Sequence, residues 1–147
     1  MVAINTRKYL GQLKNIDNRI KNKQREADRW HDISLSTSAQ GYESDKIQTS
    51  LYPVDKMAEA VAKAIDCENE CRELSVKLIN LKAVIERQID GVDDELYYNI
   101  LHSVYVEGKS ISETAVNESY SYKQLKRHLN AALDCFEAKY GYSYLSD

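Results

Sequence analysis

PVDKMAEAVAKAIDCENECRELSVKLINLKAVIERQIDG, residues 53 to 91, is the stretch from which the rest of the chain is read. Within it Met57, Ala60, Ala64, Cys67, Cys71, Leu74, Leu78, Leu81, Ile85 and Gln88 step alternately by three and four, the heptad spacing of a helix with one apolar seam. Pro53 suits the first turn, where its missing N–H costs nothing, and Gly91 is placed to stop the helix. A helix of about 37 residues is on the order of 55 Å long. No small motif covers such a seam, so it needs another long helix or a second copy of the chain. Small residues at its start and Leu or Ile at its end predict close approach at one end and wider spacing at the other.

Upstream, from about Ile4 to Ile33, Tyr9, Leu13, Ile16, Ile20, Ala27 and Trp30 form a second seam, interrupted at Lys23, with Asn5 and Thr6 placed to cap the helix. Residues 34 to 52, SLSTSAQGYESDKIQTSLY, lose the period and read as a polar connector. The segments on either side of it have opposite charge. Residues 1–33 hold eight Lys and Arg against four acids, whereas Pro53 to Asp93 holds six against nine. Opposite signs favour pairing of the two. The expectation is an all-α protein whose residues 1–90 form an antiparallel, coiled-coil-like helical hairpin.

Downstream, Asp93 or Asp94 starts a third helix, Glu95 to Val106, with Leu96, Ile100, Leu101 and Val104 inward, and Gly108 ends it. Ser110 to Leu133, SISETAVNESYSYKQLKRHLNAAL, then reads as a short helix, a tight turn and a second helix running on to about Tyr140, a helix-turn-helix. Ser121 is placed to cap the second helix by accepting an orphan N–H of its first turn. In such a motif the N-terminal part of the second helix enters the DNA major groove. The residues assigned to reading or anchoring DNA are therefore Tyr122, Lys123, Gln124, Lys126 and Arg127. Lys or Arg can bond guanine, Gln adenine, and Tyr a thymine methyl or a phosphate. His128, beside them, is a further candidate for phosphate. The tail's Tyr142, Tyr144 and Leu145 are expected to fold back on the core or meet a partner.

Tyr105 and Gly108 ahead of the motif, Ala115 in its first helix, Tyr120-Ser121-Tyr122-Lys123-Gln124 with Arg127 in its second, then Ala132 and Leu133, resemble the sigma-70 region 4 type of helix-turn-helix. The version they resemble in particular is that of small phage late-gene regulators of the ArpU and RinA kind. A long helical region before the motif matches the layout of those proteins. Two positions depart from the pattern. Thr114 stands where the family carries a large apolar residue and Glu118 where it carries Leu, so a first helix turned to bury Ile111, Ala115 and Val116 is one expected accommodation. The resemblance implies a domain over residues 91–147, double-stranded DNA as ligand, host RNA polymerase as a further partner, and a location in the bacterial host's cytoplasm.

Composition narrows the alternatives. The formal net charge of −3 does not mark a nucleic-acid binder, but Lys123 to Arg127 holds three bases and no acid, so affinity would rest on a local patch with strong salt sensitivity. Cys67, Cys71 and Cys135 come with no export signal and read as thiols of a reducing compartment; Cys67 and Cys71 lie on the seam and form no structural metal set. His31, His102 and His128 have no partners at catalytic spacing, so no enzyme, cofactor or metal is expected, and no apolar run spans a bilayer. Two further readings stand beside a DNA-binding regulator that dimerises through its hairpin. One is a protein-interaction module with a degenerate helix-turn-helix, suggested by the acidic C-terminal segment. The other is a small-terminase-like packaging protein, for which a ring oligomer would be the mark.

Overall fold

The computed structural model describes the backbone of residues 2–43 and 51–145, and the side chains of residues 5–36 and 55–145. The described residues hold five α-helices and no strand: α1, Val2–Glu43; α2, Leu51–Asp90; α3, Glu95–Leu101; α4, Ile111–Asn117; and α5, Tyr122–Tyr140. A π-helical turn, His102–Val106, continues α3, and a 3-10 turn, Gly141–Ser143, follows α5. The chain is all-α with a long N-terminal helix pair, as its periodicity requires. It divides into two compact units, one of residues 1–16 and 78–147, the other of residues 17–77. The boundary expected after residue 90 does not coincide with this division. Heptad spacing continues unbroken through α2, but its last turns are buried in the same core as α3 to α5, which local periodicity does not report.

In the unit of residues 17–77, α1 and α2 run antiparallel. Lys23 meets Glu70 at 3.0 Å, Cys71 Sγ lies 3.7 Å from the Ile20 carbonyl, and Lys63 Nζ sits 4.5 Å from the centre of the Trp30 ring. Ile20, Ala27, Ala60, Ala64 and Cys67 form the buried row. The small side chains here fit the close approach that the sequence implies. Lys23, where the α1 seam breaks, lies between Glu70 and Glu26, and their carboxylates hold its pKa above the ordinary lysine value. His31 Nε2 is 2.5 Å from Glu68.

The second unit is built round α5. Its Leu125, Leu129, Ala132, Leu133 and Phe136 are buried, spaced by three and four so that one stripe faces inward. Against them pack Leu10 and Leu13 of α1, Ile85 and Ile89 of α2, Val92, and Ile100 and Leu101 of α3. Full burial of one such side chain stabilises by about 1.5–3 kcal/mol. Tyr9 spans this core at its edge, donating to Gln88 Oε1 at 2.6 Å and stacking on Tyr144 with ring centres 4.2 Å apart. Tyr144 and Leu145 of the tail are half-buried as expected; Tyr142 is instead exposed.

Several local expectations are corrected. Asn5 and Thr6 do not cap α1, which begins at Val2; Thr6 is fully buried, with its hydroxyl 2.9 Å from that of Tyr144. The connector assigned to residues 34–52 is helical through Glu43 and again from Leu51, while residues 44–50 lie outside the described residues. Ser34 shows why a serine there does not end the helix: its hydroxyl donates to the His31 carbonyl at 2.7 Å. Gly91 does follow the end of α2, but its glycine requirement is a close approach. A Cβ there would lie 1.9 Å from the Tyr140 hydroxyl, and Lys139 Nζ donates to the Gly91 carbonyl. Gly108 is the left-handed stop, at φ 73°.

Gly11 makes the opposite case. It lies inside α1, and a Cβ there would meet nothing within 4 Å. Alanine is favoured over glycine in a helix interior by about 0.8–1.0 kcal/mol. Gly11→Ala is therefore expected to raise the unfolding free energy by about 1 kcal/mol in urea denaturation. A loss of stability would mean that this part of α1 is not helical.

Candidate functional site

The site is the N-terminal end of α5 with the turn that leads into it. Ser110 caps α4, accepting the Glu113 N–H at 3.0 Å. Thr114, inside that helix, is fully buried, and its hydroxyl donates to the Ser110 carbonyl at 2.9 Å, so no polar atom is left unsatisfied. Ala115 is buried beside it and Ile111 half-buried, whereas Val116 is 78% exposed. The expected rotation of α4 towards Val116 does not occur, because a satisfied threonine can occupy the inward position. Glu118 ends α4 half-exposed rather than buried.

The turn is fixed by Ser119 at φ 62° and by the Tyr120 N–H, which donates to the Ala115 carbonyl at 2.9 Å. Ser121 then opens α5 with a capping box. Its hydroxyl accepts the Gln124 N–H at 3.1 Å, and Gln124 Oε1 accepts the Ser121 N–H at 3.1 Å. Ser121→Ala removes one half of this pair and is expected to cost about 1 kcal/mol of stability. Faster hydrogen exchange at Gln124 is the local readout, and unchanged stability and exchange would mean that α5 does not depend on the cap.

Leu125 and Leu129 anchor α5 in the core, which turns the intervening positions outward. Tyr122, Lys123, Gln124, Lys126 and Arg127 are all exposed, and Tyr122 is 52% exposed despite its ring. Lys123, Lys126 and Arg127 have no ion-pair partner among the described residues. The five residues assigned from sequence thus share two adjacent turns of one capped helix, with three uncompensated cations. Gln124 has a second job that base reading does not include, since its Oε1 already holds the cap; the Ser-x-x-Gln spacing carried that signal. His128 packs on Tyr120, ring centres 4.8 Å apart, instead of standing free beside Arg127.

One neighbour was not legible from spacing. Arg7 of α1 donates through Nη2 to Asn130 Oδ1, on the exposed side of α5. Burial pushes the Tyr105 phenol pKa up, and the Arg7 cation opposes that rise. Glu107, at the end of the π turn, lies 3.2 Å from His102 Nδ1, which holds its carboxyl below the usual range.

No helix among the described residues is long and apolar enough to cross a membrane, and no three of their His, Cys, Asp or Glu side chains come together as a metal set. All three cysteines are free. Comparison of the chain with protein-family models, with curated proteins and with solved structures finds no match.

Proposed function

We propose that the protein binds double-stranded DNA with the first two turns of α5 and serves as a transcription regulator of the phage or prophage type, with no catalysis of its own. The observation that carries this reading is the exposure of Tyr122, Lys123, Lys126 and Arg127 just inside a capped helix whose opposite face is locked in the core. That arrangement suits a helix that must enter a groove without bending. Lys126 and Arg127 supply charge to guanine edges or phosphates, Lys123 to phosphate, and Tyr122 a ring for a thymine methyl. Gln124 contributes chiefly by holding the cap, with its amide nitrogen left for a contact. The helix pair offers Val61, Ile65 and Val76 as exposed apolar side chains, a feature suited to self-association or to a protein partner such as host RNA polymerase.

The test is binding of the purified protein to mixed phage promoter fragments at two salt concentrations. Selective binding that falls steeply with salt is the expected result. Absence of binding at low salt would remove the DNA reading and leave the helix pair as the place to look for function.

A further inference from the structure

We infer that the groove between the first turns of α1 and the segment joining the π turn to α4 is a second DNA-backbone contact, taking phosphodiester oxygens beside the stretch of duplex engaged by α5. This rests on the DNA reading proposed above. The groove has a volume of about 620 Å³ and carries Arg7, Lys8 and Lys14 on its α1 wall, with Lys109 on the other. One acid, Glu113, also lines it, and that carboxylate accepts the Ser110 hydroxyl at 3.4 Å. Lys109 lies 3.6 Å from Glu107. Lys8 and Lys14 are exposed and have no ion-pair partner among the described residues. Arg7, Lys8, Lys14 and Lys109 against Glu113 and the Glu107 that pairs with Lys109 still leave a positive excess, a local field opposite in sign to the chain's net −3.

Two features point to a nucleic-acid backbone as the occupant. Arg7, Gly11 and Lys14 recur at i, i+4 and i+7, so they share one face of α1, and Gly11 leaves an open trough between the two cations. Arg7 is also bonded to Asn130, which follows Lys126 by four residues and Arg127 by three on α5. The basic face of α5 therefore continues onto α1 through that bond. An acidic peptide with apolar side chains would also match the charged rim and the Leu10, Val104 and Ile111 lining, but it would have no use for that continuity.

The experiment compares wild type, Lys8→Ala/Lys14→Ala and Lys126→Ala/Arg127→Ala by fluorescence anisotropy across a salt series. The probes are a fluorescein-labelled duplex of random sequence and a duplex enriched from a random pool by the wild type. Each lost phosphate contact reduces the slope of log affinity against log salt by about 0.9, so the Lys8/Lys14 variant is expected to lose about 1.8 from the slope. Its preference for the enriched duplex and its melting temperature should match wild type, since both lysines are exposed and outside the core. A slope equal to that of wild type, with binding still weakened by Lys126→Ala/Arg127→Ala, would overturn the groove inference alone. Capture of an acidic apolar peptide that depends on Lys8 and Lys14, again with an unchanged slope, would overturn it in favour of a protein partner. Failure of the wild type to bind either duplex at low salt would overturn both this inference and the role of α5.

Discussion

Phe136→Ala is expected to lower the unfolding free energy by about 3–5 kcal/mol, the usual cost of emptying a fully packed aromatic site. Phe136 is completely buried on the inner stripe of α5. Its ring centre lies 5.1 Å from that of Tyr140, 6.3 Å from Tyr9 and 6.2 Å from Tyr144. The ring thus joins α1, through Tyr9, to the end of α5 and the tail that follows it, at the other end of the sequence. Aromatic pairs contribute about 0.5–1.5 kcal/mol each beyond area burial, so the loss should lie towards the upper end of the range. Domains of this size are stable by about 5–15 kcal/mol, which makes this a large fraction of the total. Urea denaturation is the check, with near-ultraviolet circular dichroism following the loosened tyrosines. A cost below about 1 kcal/mol would contradict this core.

Lys126→Ala/Arg127→Ala is expected to have the largest effect on binding and almost none on folding. Each good base-edge contact is worth about 1–3 kcal/mol, so losing two should weaken selected DNA by about 2–6 kcal/mol. Every 1.4 kcal/mol is about tenfold, so the affinity falls by more than an order of magnitude at the low end of that range. Both side chains are exposed on α5 and anchor nothing, so the change in stability should stay within about 0.5 kcal/mol. Equal affinity for wild type and variant would remove α5 as the reading helix. Retention of full cellular activity by the variant would favour the interaction-module reading in its place.

What the sequence made legible was local. The heptad steps of α2 were sufficient to name Ala60, Ala64, Cys67 and Ile85 as buried, because a regular helix repeats its inward face whatever it packs against. Ser121 was recognisable as a cap for the same reason: its partner lies three residues away. The misreadings arise where a distant residue decides. Thr6 looks like a cap until Tyr144, 138 residues later, buries it. Gly91 reads as a helix stop, yet the need for glycine comes from the close approach of the Tyr140 side chain. The Arg7 to Asn130 bond, which carries the basic face of α5 onto α1, spans 123 residues and leaves no trace in either local pattern. One difference is local: Thr114 and Val116 exchange their expected places because a threonine hydroxyl can be satisfied by the carbonyl four residues back, which makes burial of the threonine affordable.

Contact between DNA and the first two turns of α5 can be followed through the backbone amide resonances of the isotopically labelled protein while duplex DNA is added. The largest shifts are expected on Ser121 to Arg127, with smaller ones at Arg7, Lys8 and Lys14, and all should diminish as salt is raised. Shifts confined to α2, or none at any ratio of DNA to protein in low salt, would contradict that contact.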